Sequence, residues 1–460
     1  MIRAYNPILL LNIIKKLLFD LDRLQKINNH ELQKIQDKSF KKIVRWAYTV
    51  PLYNQKYKKN GIHPSDIKGI NDIEKLPIIS KDDIREFYPH GIHSYKISKD
   101  RLVEISTSGT TGKKLSLFVD FSEIITGLFG YLRALREYNI NWRKTKITII
   151  GDFASHTAES GYIYNGLQTI FRNNFFFQNI QWLNTNDPPE KIIQQIDCFK
   201  PQFIGGYVGM IGHLAVLKEK GLGKNISPTH IGLTGSVLGK ELKKYIEDIF
   251  NAHIFEIYGA TESGPIAIQC KHGSYHILSD LVFLEFFNKK KSCLSGEAGK
   301  ILVTKLYGKG TPIIRYNAIN DIVSPRYETC RCNMCGGLIE RIYGRDDLSL
   351  ILRGGRLLLP SSISDIFSKV LYILKTSMVR DLQVTQHDLD TIEVQLVLDK
   401  NLIENSSLVQ DVFSIIKESF KEKVGPGVKI IIKDVDKIQH DGPRIISKLN
   451  PKEYRITQYV

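Results

Sequence analysis

The sequence predicts an α/β protein. A large N-terminal domain with mixed, largely parallel sheets and a helical N-terminal region precedes a small α+β C-terminal domain. Three observations lead there. At 460 residues the chain exceeds what a single hydrophobic core serves. Between Leu102 and Tyr343 short β-rich runs alternate with helical stretches, as in a domain with parallel strands. After Arg345 the pattern changes to two strands and one helix, which suits a separate small unit. The expected divisions are 1–95 (helical region of the large domain), 96–343 (core) and 344–460 (small mobile domain).

The elements follow in chain order. Ile13, Leu17, Leu18, Leu21 and Leu24 recur at helical spacing, and Pro51, Pro64 and Pro77 punctuate later turns. This basic, amphipathic start has two uses: packing on its own domain, or peripheral contact with an acidic membrane surface. In the core, Lys146–Ile150, Phe203–Gly206, His230–Leu233 and His253–Tyr258 read as strands, with a helix over Lys240–Phe250. In the tail, Ile392–Leu398 and Val428–Ile432 read as strands and Leu408–Phe420 as a helix. No internal repeat or long low-complexity segment interrupts them.

Composition narrows the class. Hydrophobic content of 42% and charged content of 24% describe an ordinary globular protein. The net charge of +16 favours anionic partners such as nucleotides, or describes a lysine-rich solvated surface. Nucleic acid is not expected, because no recognised reading module accompanies the charge. The longest apolar run near the start, Ile8 to Ile14, is broken by Asn12 and followed by Lys15 and Lys16. It falls short of the ~20 residues of a bilayer crossing. It also lacks a small-residue cleavage site, so a cytoplasmic protein with six reduced or metal-bound cysteines is expected. A homodimer is left open.

The segment Ser106-Thr107-Ser108-Gly109-Thr110-Thr111-Gly112-Lys113-Lys114 has the chemistry of a polyphosphate grip. Glycines let backbone N–H groups approach an anion, hydroxyls donate, and lysine brings mobile positive charge. It is not a G-x-x-x-x-G-K-[ST] loop, since only two residues separate Gly109 from Gly112. Ordinary Ser/Thr/Gly loops have a similar composition.

A second stretch, Ile257-Tyr258-Gly259-Ala260-Thr261-Glu262-Ser263-Gly264, follows a predicted strand. With the first loop it resembles the adenylate-forming superfamily, and most closely its branch of phenylacetate–CoA ligases, coenzyme F390 synthetases and CapK-type proteins of capsular polysaccharide synthesis. Tyr48–Tyr53 and Leu76–Lys81 are similar to that branch's N-terminal region. Thr234-Gly235-Ser236 resembles its adenine-side turn, Thr311–Tyr316 with Asn320-Asp321 its ribose segment, and Tyr343–Asp347 its hinge.

The resemblance implies ATP, Mg²⁺ and CoA as cofactors and a small carboxylic acid as substrate. It implies that the loop from Ser106 to Lys113 grips the β- and γ-phosphates and that Thr261 touches the α-phosphate. Glu262 would hold Mg²⁺, Gly235, Ser236, Tyr258 and Gly259 would line the adenine side, Asp321 would bind the ribose hydroxyls, and Arg345 would reach ribose or phosphate. These roles suit the chemistry: carboxylate attack on an α-phosphate joins two anions, so the site must neutralise charge and align the attack. Taken singly, Glu262 could instead cap a helix, Asp321 end a strand and Arg345 serve an ordinary ion pair. Asp347 is the expected hinge about which the small domain alternates between adenylation and acyl transfer.

Two features stand apart. Cys332 and Cys335 have the C-x-x-C spacing of a metal pair, and Cys270 and His276 bracket a predicted hairpin upstream. Together they form a candidate Cys₃His set for structural Zn²⁺, with Cys330 and His272 as competing ligands and free reduced thiols as the alternative. The superfamily also carries a lysine in a C-terminal Gly-Lys pair, where this chain has Gly442-Pro443. Proline cannot supply that charge, so Arg444 or Lys448 would have to serve, or adenylation would be altered. Three readings therefore stand: CoA ligation, adenylation with a sugar or polysaccharide acceptor, or nucleotide binding without catalysis. Phe153–Gly161 is expected beside the acid pocket, with His156 as either a substrate contact or a structural residue.

Overall fold

The computed structural model describes residues 16–460 except 17–18, 108–114, 155–156, 158, 161–178, 289–290, 377, 400–405, 439–442, 451–452, 455, 457 and 460. Ser108, Gly109, Thr110, Thr111, Gly112, Lys113 and His156 therefore lie outside the described residues, as do Ile13, Leu17 and Leu18 of the amphipathic start.

The N-terminal region is helical. Helix α1 (Asn29–Ala47) starts with a capping box in which Asn28 and Glu31 satisfy each other's backbone N–H, and it buries Phe40 and Val44. Helix α2 (Pro51–Lys59) places proline in its first turn, and α3 (Lys81–Phe87) is capped by Ser80. Two buried or half-buried arginines, Arg23 and Arg133, converge on the fully buried Asp280 at 3.1 and 2.6 Å. Burial alone would raise that carboxyl; the two guanidiniums hold it below its ordinary value. No helix among the described residues is long and apolar enough to cross a membrane.

A hairpin of β1 (Leu102–Ser106) and β2 (Ser116–Asp120) carries the predicted phosphate loop between its strands. Helix α4 (Phe121–Glu137) follows, opened by an Asp120/Glu123 capping box. Then β3 (Ile147–Gly151), β4 (Ile180–Asn184), α5 (Pro189–Phe199), β5 (Phe203–Tyr207), α6 (Val208–Glu219), β6 (His230–Thr234), α7 (Lys240–Phe250) and β7 (His253–Ala260) alternate along the chain. These five strands pair in parallel in the order β4-β3-β5-β6-β7. Helices between them cover the sheet, so their apolar runs are buried.

The parallel half ends at β7. The chain reverses there into β8 (Gly264–Gln269) and β9 (Tyr275–Ile277), and β10 (Val282–Asn288), β11 (Lys291–Ser292), β12 (Gly299–Lys305), β13 (Asp321–Arg326) and β14 (Leu338–Arg345) extend the same sheet antiparallel to twelve strands. A three-residue turn, Asp346–Leu348, leads into β15 (Leu350–Leu352) and β16 (Arg356–Leu358). The small unit follows: α8 (Pro360–Leu374), β17 (Val379–Asp388), β18 (Thr391–Leu398), α9 (Ser406–Val424), β19 (Lys429–Asp434) and β20 (Ile445–Ser447), with sheet order β19-β18-β17-β20. Its core runs from Leu350 through Ile366, Val394 and Phe420 to Ile430.

Candidate active site

The turn Thr261-Glu262-Ser263 is the tip of the β7–β8 hairpin, closed by pairing of Ala260 with Gly264. It is not a helix cap. Two glycines make it: Gly264 adopts φ +72°, and a Cβ on Gly259 would lie 2.9 Å from the Gly264 carbonyl oxygen. Glu262 is buried, and the Tyr316 hydroxyl approaches its Oε1 at 3.4 Å. From below, Lys305 Nζ donates to the Glu262 carbonyl at 3.2 Å and the Tyr307 hydroxyl to the Ser263 carbonyl at 3.1 Å. Lys305 is itself buried and paired with Glu123. Burial pushes the Glu262 carboxyl up, against the pull of Lys81 and Arg345.

Asp321 opens β13 directly after Asn320, whose left-handed φ of +63° turns the chain into the strand. It faces Arg345 across the β13–β14 pair, and the Tyr258 hydroxyl donates to its Oδ2 at 2.5 Å. Burial pushes the Asp321 carboxyl up to about 6, with Tyr258 and Arg345 opposing. Arg345 forks onto Asp347 through Nε and a terminal nitrogen at 2.9 and 2.7 Å, and Asn320 adds a bond to the same carboxylate at 3.1 Å. Asp347 therefore orients Arg345 as well as lying in the turn between the two parts. Glu262, Asp321, Arg345 and Tyr258 come together.

Lys81 joins them without having been singled out as a site residue. Its placement comes from a long-range strap: Ile79 N–H donates to the Arg315 carbonyl and Asn317 N–H to the Ile79 carbonyl, each at 3.1 Å, beside the Tyr316 that touches Glu262. Burial lowers the Lys81 ammonium, and the Glu262 carboxylate opposes that shift. The same strap reaches the β1–β2 hairpin, because Thr311 exchanges bonds of 3.0 and 2.7 Å with Phe118 on β2. Of the loop itself, Ser106 and Thr107 are described. Their hydroxyls meet Ser116 Oγ at 3.1 Å and Leu115 N at 3.3 Å, so they close the loop's base.

Gly235, at φ +86°, and Ser236 follow β6. A Cβ on Gly235 would lie 2.4 Å from the Tyr207 ring, so the turn packs against Tyr207. At the far end, the Pro443 carbonyl accepts from Gln383 at 3.3 Å, Arg444 pairs with Asp381 at 2.8 Å, and Lys448 meets His387 at 3.0 Å. The following strand, β20, packs beside the Asp346–Leu348 turn.

The thiol cluster requires one correction. Cys270, His276, Cys330 and Cys332 offer ligand atoms that all lie within 4.8 Å of one another. Cys335 is not among them; its thiol turns to Asn29 Oδ1 at 2.9 Å, and its backbone N–H is bound by the Leu24 carbonyl at 2.7 Å. Cys330 takes its place, with Sγ 3.7 Å from that of Cys270, while Cys332 Sγ lies 3.0 Å from His276 Nε2. His272 is exposed and outside the group.

Comparison with known proteins bears on the fold. Residues 351–443 match the CapK C-terminal domain family. The phenylacetate-coenzyme A ligase of Aromatoleum evansii is 24% identical over 427 residues, covering 89% of this chain and 92% of that protein. The enzyme of the same name from Escherichia coli K12 is 28% identical, covering 73% and 76%. Among solved structures, 2-hydroxyisobutyryl-CoA ligase with 2-HIB-AMP in its postadenylation state aligns with TM-score 0.71 at 16% identity, covering 91% of this chain and 90% of that one. The same ligase with 2-HIB-AMP and CoA in its thioesterification state aligns at 0.61 and 17% identity, covering 92% and 91%. At these identities the structural likeness is one of fold. The chain is therefore similar over most of its length to phenylacetate-coenzyme A ligases, shares its fold with a CoA ligase, and matches the CapK C-terminal domain family over residues 351–443.

Proposed function

We propose that this protein joins a carboxylic acid to ATP, forming an acyl-adenylate and pyrophosphate, and then passes the acyl group to the thiol of CoA. The observation that carries the reading is the meeting of Glu262, Asp321 and Arg345 around one hairpin tip. In the first step a carboxylate oxygen attacks the α-phosphorus in line. The bond from that phosphorus to the bridging oxygen breaks, and pyrophosphate leaves with the electron pair. In the second, the CoA sulfur attacks the acyl carbon, and AMP leaves.

Asp321, ionised, accepts from both ribose hydroxyls, and the Tyr258 hydroxyl fixes its rotamer. Arg345, steered by Asp347, brings positive charge to the phosphate that forms the adenylate. Thr261 hydrogen-bonds the α-phosphate, and Lys113 with the hydroxyls of its loop binds the outer phosphates. A buried carboxylate met by its own backbone N–H and a distant Tyr316 hydroxyl fits an Mg²⁺ ion, so Glu262 would hold it with phosphate oxygens. The ion would supply charge neutralisation as pyrophosphate departs. Lys81 takes a share of the cationic work that Pro443 cannot.

The test is product analysis. Incubation with ATP and a panel of acids should give AMP, pyrophosphate and an acyl-CoA only when CoA is present. Acyl-adenylate that accumulates and never moves to CoA, but does move to a sugar hydroxyl or amine, would replace the second step with the acceptor suggested by the CapK match.

Cys270, His276, Cys330 and Cys332 form, in the same reading, a structural zinc site. Three sulfurs and an imidazole converging within 4.8 Å fit a closed tetrahedral ion. Purified, untagged protein should carry close to one zinc per chain and lose thermal stability in chelator. Metal-free protein of undiminished stability would end this proposal.

A further inference from the structure

The parallel strands β3, β5 and β6 end at Gly151, Tyr207 and Thr234, on the same edge of the sheet as the Thr261–Ser263 turn that follows β7. Ligands bind at this carboxyl edge in such sheets. What lines it beside the adenylation centre is polar. The Tyr207 ring fills the space a Cβ would need at Gly235, and the Tyr207 hydroxyl donates to Glu159 Oε1. Glu159 reaches back over Gly151, where a Cβ would lie 3.5 Å from Glu159 Cγ. Gly130 of α4 packs on Pro265, and the exposed Tyr131 that follows it lies in electrostatic reach of both Glu159 and Tyr307. Tyr307 in turn holds the Ser263 carbonyl, next to Glu262.

This wall carries negative charge in a chain of net charge +16. Asp152 accepts from Ala154 N–H at 3.0 Å and from Asn186 at 3.3 Å, and Glu159 accepts from Tyr207. Among the described residues neither carboxylate meets a cation. A half-buried carboxylate held by one hydroxyl is poorly matched to an aromatic or aliphatic acid tail, which would strip its water and return no hydrogen bond. It is well matched to an ammonium, which donates three.

We propose that the acid activated here carries a cationic amine: the substrate is an amino acid in the broad sense, its ammonium bound by Glu159, whose rotamer Tyr207 fixes. The inference rests on the adenylation reading. The contact persists through the first step, because adenylation removes the carboxylate's charge and leaves the ammonium's.

Pyrophosphate exchange with matched acids tests it: alanine, lactate and propionate; phenylalanine, phenyllactate and 3-phenylpropionate; 6-aminohexanoate and hexanoate. In at least one series the amine should exceed its unsubstituted partner by at least about tenfold in kcat/KM. Glu159→Gln should collapse that ratio, and Glu159→Asp should restore part of it. A merely structural role for Glu159 would lower every acid alike. Best use of hydroxy or unsubstituted acids, or a ratio unmoved by Glu159→Gln, overturns the proposal and leaves adenylation standing. No exchange with any acid removes both.

Discussion

Asp321 gives the site a pH dependence with a definite sign. Its carboxyl titrates near 4 in an unfolded chain and at about 6 when folded. Between those values the native state binds more protons, so this group's contribution to stability falls as pH rises from about 4 to 6. Nucleotide binding runs the other way, since only the ionised carboxylate accepts from both ribose hydroxyls. ATP affinity should therefore rise as pH passes upward through about 6, changing by up to about tenfold per unit below it. In Asp321→Asn the affinity should be weaker and flat over that interval. Calorimetric titration from pH 5 to 8 decides it, and a flat wild-type profile counts against the assigned role. Glu262, Asp321 and Arg345 were legible in the sequence because each lies in a short run whose order matches a known pattern. Lys81, Lys305 and Tyr316 were not legible as site residues. Lys81 and Tyr316 close runs that match the pattern but carry no role in it, and nothing local marks Lys305; Lys81 reaches Glu262 because Ile79 pairs with a segment more than two hundred residues away.

Among the elements, the β7–β8 hairpin governs the position of the Glu262 carboxylate. Gly259→Ala would force a Cβ to 2.9 Å from the Gly264 carbonyl oxygen and 3.3 Å from Pro265 Cα, both backbone atoms that cannot rotate away. Overpacking of this kind costs about 1–3 kcal/mol. The larger consequence is displacement of the turn, so adenylation should fall by about a hundredfold while the protein still folds. Activity within twofold of wild type would show that the turn tolerates the shift. The parallel strands were legible because each apolar run is flanked by a helical period: β5 and β6 extend one residue past their expected ends, and the helix Lys240–Phe250 has the bounds expected of it. The antiparallel half was harder to foresee, because pairing direction is set by long-range register. The metal cluster shows the same limit. C-x-x-C spacing favours Cys332 with Cys335, but spacing carries no information about the helix α1 residue, Asn29, that draws Cys335 away.

In the whole molecule, the small unit is tied to the large one by ion pairs at its outer edge. Lys375 on the small side meets Glu219 at the end of α6 at 2.6 Å, and Arg380 meets Glu190 of α5 at 2.9 Å while also bonding Asp399. A rotation about the Asp346–Leu348 turn must break both contacts with the large unit. These pairs favour the arrangement in which the two parts meet. Half-exposed pairs contribute about 0–1 kcal/mol each. The double variant Glu190→Gln/Glu219→Gln should therefore change the rate of acyl-adenylate formation relative to that of thioester formation from supplied acyl-adenylate by up to about tenfold. Equal change in both half-reactions would show that the pairs do not bias the arrangement.

In the proposed function, Glu262 and the loop from Ser106 to Lys113 serve a single triphosphate. Acid-dependent exchange of labelled pyrophosphate into ATP, measured side by side in wild type, Glu262→Ala and Lys113→Ala, tests this directly. Exchange in the wild type, lost by at least about a hundredfold in Glu262→Ala and strongly reduced in Lys113→Ala, is the predicted result. Exchange that survives both substitutions would contradict it.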